Sequence, residues 1–154
     1  MRFTGEFILP TIDLNAYKAL LTKHLQKELR KVANAWLLGV VGKIPVWSGQ
    51  SQGSLLELAE LINGTLIITP RSGVKNRITQ GRSLGTAKEK LDFSDFNITI
   101  KTNVDHYNIQ EYTNVGVSKS APWQSLIAGA KMAWPVLNKV RLIAPTLKIT
   151  KIKI

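Results

Sequence analysis

Few side chains in this sequence could do chemistry, and their spacing does not bring them together. Only two histidines occur, His24 and His106, and there is no cysteine. A zinc site takes three or four nitrogen, sulfur or carboxylate ligands, so these two would need carboxylates brought from afar. Asp105-His106 with a distant serine would imitate a hydrolytic triad, but neighbours in sequence do not have triad geometry, and a histidine at a bend is the simpler reading. Glu89, Asp92 and Asp95 form a short acidic cluster. Paired carboxylates can serve acid–base or cation chemistry, yet such a run among basic residues reads more simply as a solvated loop. Gly42-Lys43 is not a phosphate-binding loop, because Ile44 follows and Ala35 to Leu38 stand where the first glycine belongs. Gly81 to Gly85 does not join a strand to a helix as a dinucleotide fingerprint requires. The reading is of no catalytic, cofactor-binding or metal-binding residue, and of a protein that is not an enzyme.

What remains is charge and shape. The chain has 154 residues, 44% of them hydrophobic and 20% charged, a balance that supports one domain with a real core and excludes wholesale disorder. Its formal net charge of +11 attracts polyanions or acidic protein surfaces. The charge is uneven: from Tyr112 to Ile154 there is no Asp or Glu, and a second cluster holds Arg71, Lys75, Arg77, Arg82, Lys88 and Lys90. The first residues lack the apolar run and small-residue cleavage site of a signal peptide, and no window has the length of a membrane span. The absence of cysteine suits a protein made in a reducing compartment.

The elements that must position these residues follow from periodicity. Residues 1–12 read as an extended arm, with Pro10 barring a helix and Phe3, Phe7 and Ile8 in need of a surface. Asp13 is an N-cap. From Leu14 through Tyr17, Leu21, Leu25, Leu29, Val32 and Trp36 to Val40 the steps of three and four residues predict a long amphipathic helix, its other face carrying Lys18, Lys23, Lys27, Arg30 and Lys31. Gly39, Gly42 and Pro45 end it. Residues 54–62 favour a short helix, with a strand as the alternative, and Asn63-Gly64 marks a turn. Thr65 to Thr69 predicts a buried strand stopped by Pro70. Residues 71–92 show no period and are expected to protrude as a long basic loop. Alternation from Phe96 to Val104 predicts a half-buried strand, with a bend near Asp105-His106. Ala121-Pro122 opens a second helix whose apolar stripe is Trp123, Leu126, Ile127, Ala130, Trp134 and Leu137, with Pro135 kinking or ending it. Leu147 to Ile154 predicts a final strand with one parity slip. The fold class is α+β: a small antiparallel sheet packed with a long N-terminal and a second C-terminal helix, in a single domain.

Ile44-Pro45-Val46-Trp47-Ser48-Gly49 after the first helix, tyrosines at 107 and 112, and Ala121-Pro122-Trp123 opening the last helix resemble, in order and spacing, the neck or tail-completion proteins of tailed bacteriophages. Pro45, Ser48 and Gly49 match the first motif of that family, and Pro122 and Trp123 the second. The chain departs from it in having Gln50, Ser51 and Gln52 where a basic residue is usual, and in the length of residues 71–92. The resemblance implies a structural virion protein, made in the host cytoplasm. It would form a homo-oligomeric ring, hexamer or dodecamer, that connects a head-side adaptor or portal to the tail tube. It implies no cofactor and no membrane, with a passing contact to DNA compatible with the charge. Phe3, Phe7 and the basic cluster at Arg71, Lys75, Arg77, Arg82, Lys88 and Lys90 are the expected interface residues. The alternatives are a basic nucleic-acid-binding module, or another virion subunit such as a tail terminator or minor capsid protein.

Overall fold

The computed structural model of the chain describes residues 6–44, 49–69, 76–92, 95–105, 124–145 and 147–153. In chain order their elements are β1 (Glu6–Ile12), α1 (Leu14–Val41), α2 (Gln50–Gly53), α3 (Leu56–Leu61), α4 (Asn76–Leu84), β2 (Gly85–Asp92), β3 (Asp95–Thr102), α5 (Ser125–Leu137) and β4 (Leu147–Lys153). The fold is α+β. Its strands form two separate antiparallel ribbons, β1–β4 and β2–β3, where one small sheet was expected.

The long helix starts and stops where its residues dictate. The Asp13 carboxylate accepts a 3.0 Å hydrogen bond from the Ala16 amide, satisfying a donor that the first turn leaves unpaired. Twenty-eight residues make α1 about 42 Å long. It ends at Gly42, whose amide returns to the Leu38 carbonyl. Only its C-terminal end enters the main core. There Leu37, Val40 and the following Ile44 meet Leu55, Leu58, Ala59 and Ile62 around α3, and Val104 beyond β3. Ala87, Ile98 and Ile100 of the β2–β3 hairpin cover them. Each fully buried aliphatic side chain here stabilises the fold by about 1.5–3 kcal/mol.

Two polar devices lock this end. The buried Gln52 carboxamide donates to the carbonyls of Val41 and Ile44, at 3.2 and 3.1 Å, so a side chain of α2 satisfies backbone acceptors at the end of α1. The Thr102 hydroxyl donates to Ser54 Oγ at 2.9 Å, and Ser54 donates to the Ser51 carbonyl, tying β3 to the α2–α3 junction. Asn63 and Gly64 close α3 as a Schellman turn: their amides bond the carbonyls of Glu60 and Ala59, with Asn63 left-handed at φ 55°.

α5 runs antiparallel to α1. Gly129 presses on Trp36 and Val40, and Gly39 on the backbone of Ala128 and Gly129. Further back, His24 Nε2 donates to the Arg141 carbonyl at 2.7 Å and the Tyr17 hydroxyl to the Ile143 carbonyl at 3.0 Å. The chain thus returns to the start of α1, where β4 pairs with β1 in an unbroken register from Glu6↔Lys153 to Ile12↔Leu147. The ladder is one-to-one, so the change of apolar parity between Ile149 and Ile152 takes place without a bulge.

Two further expectations are corrected. Residues 76–92 are not a protruding loop but α4 followed by β2, while 71–75 lie outside the described residues. Residues 65–69 do not form a strand, and Ile67 is 82% exposed. Leu66 packs on the core, but no neighbouring strand pairs with this segment among the described residues, and β-branched content alone does not make a sheet.

Candidate functional site

Several residues singled out by sequence lie outside the described residues: Phe3, Pro45, Ser48, Arg71, Lys75, His106, Tyr107, Tyr112, Pro122 and Trp123. Of the interface set, Phe7 stands opposite Ile152 in the β1–β4 ribbon. Arg82 reaches back to α3, 3.0 Å from Glu57 and 2.7 Å from Glu60. The hydrogen bond to Glu57 and the charge of Glu60 raise its pKa. Its charge is matched within the subunit. Arg77 bonds Gln80 one turn along α4, and Lys88 and Lys90 are exposed on β2, Lys90 lying 3.7 Å from Asp92. Gly49 of the first motif adopts φ 78° at the start of α2, a left-handed conformation suited to glycine. A Cβ there would also come within 2.8 Å of Ile78 Cγ1 in α4.

The expected acidic cluster is divided. Glu89 does not face solvent with its neighbours but turns to α1. Arg30 Nε and Nη2 donate to its two carboxylate oxygens at 3.1 and 2.8 Å, and Gln26 adds a third bond at 3.1 Å. The Arg30 hydrogen bonds hold the carboxyl below the usual carboxylate range, against an opposing effect of partial burial. This bidentate pair clamps the hairpin to the helix. Among the described residues no group of three or more His, Asp or Glu side chains could hold a metal ion.

Two surfaces stand out. The first is α5. Its inward positions are small: Ser125 and Gly129 are buried, with Ala128, Ala133 and Val136 partly so. Small residues let the two helix backbones approach closely. The large apolar residues look the other way. Leu126, Ile127, Met132, Trp134 and Leu137 are exposed, Trp134 by 63% of its surface, and Leu38 of α1 and Leu142 are exposed as well. The apolar stripe read from the sequence is therefore present, and its members Leu126, Ile127, Trp134 and Leu137 are exposed. Helical periodicity identifies an apolar face but not whether its partner is internal. Lys131 is the only charged residue in α5. An ordinary surface helix carries its polar residues outward; this one does not.

The second surface is an open groove of about 510 Å³ between the middle of α1 and the Asn63–Gly64 turn. Lys23, Lys27, Arg30, Lys31 and Asn34 form one wall and Asn63 the other. Lys31 is 2.6 Å from Glu28, whose carboxyl is held low by that hydrogen bond. Arg30 is matched by Glu89. Lys23 and Lys27 are exposed and make no ion pair with any described residue.

No family model, no curated protein and no solved structure matches the chain. The functional reading therefore rests on these surfaces and on the motif resemblance. Sequence reasoning had the basic face of α1 but not the groove, because its second wall comes from a turn about thirty residues later. The small-residue stripe of α5 was visible only as Gly129 in mid-helix, the kind of glycine that signals close packing.

Proposed function

We propose that this chain is a structural subunit of a tailed-bacteriophage virion, of the neck or tail-completion type, which works by docking to copies of itself and to neighbouring rings. The observation that carries the reading is the outward apolar face of α5. A helix that packs its small residues inward and exposes Leu126, Ile127, Trp134 and Leu137 needs a partner to cover them. In a ring each subunit offers one face and receives another, so the apolar helix of one copy would meet a different surface of the next. The β1–β4 ribbon adds a second device: it is two strands wide, and an open strand edge can accept a neighbour's strand. The motif order from Ile44 to Trp123 supports the choice of virion subunit over other assembling proteins. The purified protein, imaged in negative stain across a range of concentrations, is expected to show closed rings with a fixed number of copies. Single particles of one chain at every concentration would refute the reading.

A further inference from the structure

We propose that the groove between α1 and the Asn63–Gly64 turn is a sequence-independent binding surface for the phosphate backbone of duplex DNA. The groove lies within one subunit and does not depend on ring formation.

The wall of the groove is linear. Lys23, Lys27 and Lys31 recur every four residues, so they climb α1 in steps of about 6 Å, with Arg30 and Asn34 beside them. A small anion is held by donors that converge on a point. Charges strung along a helix suit a polymer of charge instead. Lys23 and Lys27 supply the unmatched charge, Lys31 and Arg30 being matched by Glu28 and Glu89. Asn34 and Asn63 supply neutral hydrogen-bonding groups of the sort that bind phosphate and sugar oxygens.

The lining also selects among polyanions. Among the described residues its lining has no aromatic side chain. Single strands are held largely by bases stacked on aromatic rings, so the groove lacks what a single strand would use. An acidic protein partner would need a buried aromatic or aliphatic anchor for affinity. Among the described residues the one apolar side chain lining the groove, Ile62, is itself buried in the core. What the groove offers, cations and carboxamides without anchors, matches a duplex backbone. The net charge of +11 favours encounter with it.

The test is fluorescence anisotropy with a labelled duplex of arbitrary sequence, titrated at several salt concentrations. With two to four phosphate contacts the slope of log affinity against log salt is expected to be roughly −2 to −4. Lys23→Ala combined with Lys27→Ala removes two exposed cations and should make that slope shallower by about 2. Lys88→Ala with Lys101→Ala makes the same charge change on the exposed side of the hairpin and should leave the slope as in the wild type. The proposal is overturned if the two double variants lose slope equally, if the wild type does not bind the duplex, if a single strand of equal length binds more tightly, or if poly-glutamate competes as well as unlabelled duplex. Circular dichroism of each variant checks that helix content is retained. The mass of the wild type at the working concentration reports assembly separately, so the two proposals can fail independently.

Discussion

Two sides of α1 are built in opposite ways. At its C-terminal end, large aliphatic residues point inward, polar backbone is satisfied by Gln52 and Ser54, and the elements around it share one core. Along the α5 side the pattern inverts: Gly39, Ser125 and Gly129 form the contact, while Trp134 and its apolar neighbours are left outside. The first arrangement stabilises a subunit by itself. The second brings two helix backbones together through small residues and leaves Ile127, Met132, Trp134 and Leu137 exposed. One chain thus separates the large apolar residues that fill its core from those left exposed on α5.

Substitutions can break or sharpen that contrast. The largest effect is expected at Leu58, which is fully buried in the core. Leu58→Ala should cost about 3 kcal/mol by its lost burial and the cavity it leaves, read as a lower urea midpoint. Gln52→Leu should cost about 2 kcal/mol, because the Val41 and Ile44 carbonyls lose their donors while still largely buried. The Glu89 clamp comes next. Its carboxyl titrates below the unfolded value of about 4.3. Its contribution is therefore present above that pH and lost as pH falls through the lowered folded value. Glu89→Gln should cost about 1–2 kcal/mol at pH 7, and should remove this part of the acid sensitivity in urea titrations between pH 6 and pH 3. Smallest is the effect of Ile127→Ser on the stability of the single subunit, expected within about 0.5 kcal/mol, since Ile127 is 52% exposed. A drop as large as that at Leu58 would mean that α5 belongs to the core after all, and the contrast would fail.

The same contrast explains what the sequence could and could not reveal. α1, α5 and β3 were legible because their apolar residues repeat at helical or strand spacing, and α3 because Leu, Ala and Glu are strong helix formers. β2 was hidden because its inward positions are Gly85, Ala87, Glu89 and Leu91. A glycine, an alanine and a carboxylate held by Arg30 carry no apolar alternation. α4 was hidden by Gly81, a weak helix former. That glycine is needed because the Gln50 backbone lies where its Cβ would be. The segment 65–69 misled in the other direction, since its residues suit a strand that finds no partner. The apolar face of α5 and the basic groove were half legible. Periodicity located the apolar stripe of α5, and composition located the lysines of α1. Neither could say that the stripe faces outward or that a turn makes a groove of the lysines, because both depend on which side of each helix the core takes.

Sedimentation velocity on the wild type and on Trp134→Asp most directly tests whether α5 is a docking face. The account predicts that the wild type forms a species of several copies as concentration rises, and that the variant stays at the mass of one chain with an unchanged urea midpoint. A wild type that remains a single chain throughout, or a variant that assembles as the wild type does, would contradict it.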